Sequence, residues 1–225
     1  MLRWASAISA VGVVAGLGLV AAACAVGKGE GWVHGELNVP GCDQDLSHYD
    51  MNADFFGANA VNGQMTIRIQ HGGDYQEYAD SVTIAVQDIE YVNRQIEASS
   101  ADPRTAVIPV QLERPPGSPV SLAPPLVRLS LSLRSTCGTH IYNPLGDEPQ
   151  VVLSATSGTV TFTSIVHGDL SSRDTNSKRI EGTFDVTVED PRNYSAPDGT
   201  KTPTSHLTGY FKFFYQRGGP AQPFP

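Results

Sequence analysis

The stretch Asp50-Met51-Asn52-Ala53-Asp54 places three oxygen-bearing side chains at alternate positions. Calcium takes several oxygen ligands, and an alternating Asp/Asn run can wrap it. Asp50, Asn52 and Asp54 are therefore candidate Ca2+ ligands. A calcium loop of the EF-hand type starting at Asp50 would carry glycine at its sixth position and glutamate at its twelfth. Phe55 and Val61 stand there, so an acidic turn is the competing assignment.

Other reactive spacings are fragments. His71-Gly72-Gly73 follows a strand-like segment, as the oxyanion loop of an α/β-hydrolase does, but the Gly-x-Ser-x-Gly elbow of that fold is missing. His71-Gly72-Gly73 is read as a turn. His34-Gly35-Glu36 followed by Pro40-Gly41-Cys42 lacks the second cysteine that the zinc deaminase pattern requires. Neither His-Glu-x-x-His nor Cys-x-x-Cys occurs, so no zinc signature is present. The six histidines are spread along the chain and read as loop or surface residues. Carboxylate pairs that hydrolyse glycosides act across separate strands and cannot be recognised from spacing. No catalytic residue is assigned, and the expected role is binding or structural.

The N-terminus speaks about location. Met1 to Trp4 carry one arginine, an apolar run extends from Ala5 to Val20, and Ala21-Ala22-Ala23-Cys24 follows. Charged, apolar and small-residue segments in that order make a secretory signal. The final four residues resemble the lipobox of bacterial lipoproteins, with alanine at 21 where leucine is usual. The resemblance covers residues 1–24 and implies that the Cys24 thiol is acylated, with palmitate or a similar chain, and becomes the mature N-terminus. Ala21-x-Ala23 also satisfies ordinary signal-peptidase cleavage, and the apolar run approaches the length of a spanning helix. On the lipobox reading, residues 1–23 are a signal peptide, 24–31 a lipidated cysteine with its tether, and 32–225 one domain. The chain would lie in the cell envelope, on the periplasmic or cell-surface side, with the membrane as its first partner. With Cys24 acylated, Cys42 and Cys137 remain as a pair, and an oxidising compartment would let them form a disulfide.

Composition narrows the partners further. Acidic residues outnumber basic ones, giving a formal net charge of -8. Phosphate backbones need clustered Lys and Arg, so a nucleic-acid partner is not expected. An envelope protein or a glycan remains, and a carbohydrate-binding or glycan-hydrolysing envelope protein is the alternative function. A glycan site would need aromatic side chains in line, for which Tyr75, Tyr78, Tyr91, Tyr142, Tyr194 and Tyr210 are candidates.

These residues need a scaffold, and alternation supplies it. Residues 64–70, 81–88, 126–135, 179–190 and 206–216 alternate apolar and polar side chains, as strands with one wetted face do. Further strands are expected at 32–39, 105–112, 151–155 and 158–168, the last two split by a turn at Ser157-Gly158. Pro109 cannot donate to a ladder and belongs on an edge or at a bulge. Val82, Ala85, Ile89, Val92 and Ile96 also fit a helical stripe, so a strand followed by a short helix near 89–97 is expected. No βαβ rhythm appears. The expectation is an all-β antiparallel sandwich of about eight to ten strands, with a closed barrel as the alternative. Long loops at 113–125, 138–150 and 190–205 would be available for recognition. Gly182 and Gly209 interrupt inward-facing rows, which predicts that their strands lie together and leave room for Phe184 or Phe211. The Pro-rich tail, 218–225, is expected to run extended.

Overall fold

The computed structural model describes residues 29–40, 42, 44–72, 79–111, 125–137, 151–166, 168, 178–190 and 204–215. The signal segment, Cys24, most of the three long loops and the C-terminal tail lie outside them. The described elements are β1 (Gly29–Glu36), β2 (Tyr49–Asn52), β3 (Phe55–Val61), β4 (Gln64–Gln70), β5 (Asp80–Val86), α1 (Ile89–Ala98), β6 (Ala106–Pro109), β7 (Val127–Leu133), α2 (Arg134–Cys137), β8 (Val152–Ser164), β9 (Arg179–Glu189) and β10 (Ser205–Phe214).

The all-β antiparallel expectation holds, but the strand pairing gives one sheet where two were expected. Nine strands follow the order β2-β1-β10-β9-β8-β7-β5-β4-β3, and β6 pairs β8 off that path. The sheet curls into a half-barrel. β2 and β3, at opposite ends of the order, are joined only through Ala53 and Asp54. Phe56 of β3 accordingly stacks on Phe213 of β10, with ring centroids 5.9 Å apart. Alternation then has a simple outcome. Inward side chains such as Ile67, Ile84, Leu131, Phe162, Phe184 and Phe211 share one core, while the intervening residues face outward.

The glycine hypothesis is met in the register. Gly209 stands directly opposite Phe184, and Gly182 opposite Phe211, on the paired strands β9 and β10. A Cβ on Gly182 would lie 2.6 Å from the Thr161 carbonyl oxygen and 2.9 Å from Phe211 Cζ. Each aromatic ring occupies the space its partner glycine vacates. Gly158 serves differently: the predicted turn at Ser157-Gly158 is a bulge inside one continuous β8. The register shifts between Ala155 and Ser157, and Gly158 has φ +109°, where other residues are strained. Pro109 sits in β6, a four-residue strand paired only with β8, as an edge position requires.

Antiparallel pairing gives the sheet two distinct ends. At one end lie the start of β1, the β3–β4 turn at Asn62-Gly63, the end of β5, the end of β8 and the end of β10. α1 crosses this end. Asp88 caps it by accepting the Tyr91 N–H at 2.8 Å. The Ile89 N–H reaches the Gly63 carbonyl at 2.9 Å, and Glu90 accepts the Gly168 N–H at 3.2 Å. Ile89 and Val92 turn into the core. The other end carries the close of β1, the start of β2, the start of β5 and α2. There Cys42 and Cys137 form the disulfide expected, with Cα atoms 5.0 Å apart.

Candidate functional site

Two adjoining clefts open at the disulfide end. One, of about 390 Å³, is lined by His34, Glu36, His48, Asp50, His206 and Thr208 among others. The second, of about 340 Å³, shares His48 and Asp50 and adds Asn52, His71, Asp80 and Thr136. Register explains the first. His34 and Glu36 are outward positions of β1. Asp50 of β2 lies opposite His34 on one side, and Thr208 of β10 lies opposite it on the other. His206 lies opposite Glu36. All four described histidines therefore border this pair of clefts, although they are far apart in the chain. Strand order brought them together, and no local spacing could have announced it.

Each histidine except His48 has a defined neighbour. His34 Nδ1 is 3.2 Å from Asp50 Oδ1, and its ring centroid lies 4.4 Å from that of Trp32. His206 Nε2 is 2.8 Å from Asp185 Oδ1. His71 Nδ1 lies 2.8 Å from the Asn52 carbonyl oxygen and 3.7 Å from Asp54 Oδ2. A carbonyl only accepts, so this contact assigns the proton to Nδ1 of His71. All three pairs are solvent-exposed, and such pairs add little stability. They are accessible to a ligand.

The second cleft has a buried polar floor. Asp80 accepts the Ser135 N–H at 2.8 Å, the Thr136 N–H at 3.1 Å and the Tyr49 hydroxyl at 3.2 Å. The Thr136 hydroxyl also donates to it. One carboxylate thus ties β2 and β5 to the start of α2, whose last residue is the bridged Cys137. Burial, and secondarily the Asp80 charge, push the Tyr49 phenol far above its ordinary pKa.

The three calcium candidates divide their contacts. Asp50 faces His34, Asn52 accepts from His71 through its carbonyl, and Asp54 Oδ1 accepts the Gly72 N–H at 2.6 Å. Among the described residues, no three His, Cys, Asp or Glu side chains are grouped to hold a metal ion. His71-Gly72 follows β4 in a bend, and its backbone serves Asp54.

Beside the first cleft, Trp32 of β1 stands directly opposite Tyr210 of β10 on the outer face. Trp32 is 38% exposed. Tyr210 donates to Glu30 Oε1 at 3.3 Å, and Lys212 Nζ approaches the same oxygen at 2.7 Å. The ammonium and its hydrogen bond lower the Glu30 pKa and raise that of Lys212. Of the tyrosines read as candidates, Tyr210 joins this pair and Tyr91 lies on α1, while Tyr75, Tyr78, Tyr142 and Tyr194 fall outside the described residues. Tryptophan at 32 was legible as an outward strand position only once the strand's register was known.

No family model matches the chain, and comparison with curated proteins and with solved structures found no match. The fold and clefts define an all-β domain with a polar, histidine- and carboxylate-bordered surface at one end. Among the described residues, no helix is long and apolar enough to cross a membrane.

Proposed function

We propose that this chain is a lipoprotein of the cell envelope, held at a membrane by acyl chains on Cys24, whose β domain binds or supports a partner and does not catalyse a reaction. The observation that carries this reading is Ala21-Ala22-Ala23-Cys24 closing an apolar N-terminal run. The Cys42–Cys137 bridge supports it, because disulfides persist in oxidising compartments. The paired clefts at the disulfide end are the surface on which an envelope protein or glycan would be recognised. Mass spectrometry of the mature N-terminus tests the reading: an acylated Cys24 is expected, and an intact Met1 in soluble extract refutes it.

A second reading, glycan binding, is favoured by the Trp32–Tyr210 pair. Sugar rings stack on exposed aromatic faces, while neighbouring carboxylates and amides take up their hydroxyls. Glu30 and the outward-facing Asn52 flank the pair. Trp4 falls in the signal segment, so Trp32 is the tryptophan that a processed chain would retain. Titration with envelope glycans should then shift Trp32 emission, and Tyr210→Ala should abolish the shift. An unchanged spectrum across the glycans would remove this reading.

A further inference from the structure

Five large apolar side chains are exposed among the described residues: Trp32 on β1 and Val107 on β6 stand at outward strand positions, and the other three lie together. Val61 is 56% exposed at the end of β3, Tyr91 38% on α1 and Phe214 52% at the end of β10. Topology gathers all three at one end of the sheet, the end crossed by α1. Among the described residues, Trp32, beside the first cleft, is the exposed large apolar side chain nearest the disulfide end.

Charge also differs between the two ends. Lys178, Arg179 and Lys212 lie at or near the α1 end, and α1 with its cap exposes Asp88, Glu90, Arg94 and Glu97. The disulfide end carries Glu36, Asp45, Asp50, Asp54 and Asp80, with Arg134 as its basic residue among those described. Arg179 and Lys212 are partly neutralised by Glu181 and Glu30, so the α1 end is mixed in charge while the other end is acidic.

The chain also enters at the α1 end. Only residues 25–28 separate Cys24 from Gly29, the first residue of β1. Each residue spans at most about 3.6 Å, so β1 starts within about 18 Å of Cys24. From Gly29, β1 runs towards Glu36 at about 3.3 Å per residue, carrying the clefts away from that point.

We propose that the α1 end of the domain rests on the bilayer surface. Val61, Tyr91 and Phe214 enter the interfacial zone. The occupant is a lipid surface because the short tether holds this end beside it, and because exposed aromatic and aliphatic side chains match its interfacial zone. The acidic end is repelled by the same surface, which orients the clefts outward. The inference rests on the lipoprotein reading and adds an orientation to it.

The test uses protein purified from membranes and reconstituted in phosphatidylglycerol–phosphatidylethanolamine vesicles containing doxyl-labelled lipid. With Cys24 acylated and Cys42 bridged to Cys137, an added thiol is the reactive one. An environment-sensitive fluorophore is attached in Val61→Cys, Tyr91→Cys, Phe214→Cys, Asp50→Cys and His206→Cys. Circular dichroism of each labelled protein confirms its fold. Quenching and a blue shift at 61, 91 and 214, with neither at 50 and 206, is the expected result. Equal quenching at all five sites, or none at any, overturns the orientation while acylation stands. A fragment mass showing Cys24 unmodified overturns the lipoprotein reading itself, independently of the vesicle measurement.

Discussion

Gly209→Ala probes the reciprocal glycine–phenylalanine packing most directly. In an ordinary strand interior, replacing glycine by alanine gains about 0.5–1 kcal/mol by lowering the entropy of the unfolded chain. Here the new methyl would overlap the Phe184 ring, meeting Cζ and lying 2.5 Å from Cε1 and 2.9 Å from Cε2. Phe184 is buried and cannot simply swing into solvent. Forcing an extra methyl into such a core costs about 1–3 kcal/mol. The clash outweighs the entropic gain, for a net loss of about 1–2 kcal/mol. In a chain of this size each kcal/mol moves Tm by about 2–4 °C, so a fall of about 2–8 °C is expected in thermal unfolding followed by circular dichroism. The clash belongs to a pair, so Phe184→Leu should relieve it. A double-mutant cycle should give a favourable coupling of about 1 kcal/mol between Gly209→Ala and Phe184→Leu. A Gly209→Ala protein as stable as the parent, or additive losses in the double mutant, would refute the packing argument.

Three further expectations follow from the disulfide end. Replacing Cys42 and Cys137 together by serine reopens a loop with sequence separation 95, which should cost about 4–5 kcal/mol in the chain-entropy model, measured by urea unfolding. Tyr49→Phe removes one donor to the Asp80 carboxylate and should cost about 1–2 kcal/mol at neutral pH. Tyr49 has its folded pKa raised above the unfolded value, so its contribution is intact below about pH 10, the unfolded tyrosine pKa, and is lost as pH rises beyond it. The alkaline fall in stability should accordingly be shallower in Tyr49→Phe, as pH-dependent denaturation will register. Calcium or a chelator should leave Tm unchanged, because Asp50 is turned to His34 while the Asn52 carbonyl and Asp54 are turned to His71; a calcium-dependent rise would restore the ion site.

The sequence disclosed what is periodic and local. Residues 179–190 and 206–216 alternate so cleanly that β9 and β10 match their expected spans within about two residues. Gly182 and Gly209 revealed their pairing because a missing side chain in an apolar row demands a neighbour. The helix near 89–97 could be read from its stripe after the β-branched run of β5. β2 and β3 went unread, because residues 42–57 are dense in acids and suggest a loop. Asn62-Gly63 was nevertheless a two-residue hairpin signal, and both residues take positive φ. Closure was not legible, since inward–outward alternation is the same in two packed sheets and in one curled sheet. The histidine clefts were hidden for a related reason. His34, His48 and His206 become neighbours through the pairing of β1 with β2 and β10, and His71 joins them through the pairing of β3 with β4.

β1 pairs with β10 through eight consecutive residues, Gly29 to Glu36 against Phe213 to His206. Ladder hydrogen bonds in such a pair run perpendicular to the strands. A pull on the N-terminal segment is directed along β1, so it loads every rung of that ladder at once instead of unzipping them singly. Suspended from that end in line with β1, the domain is held by a ladder loaded in shear.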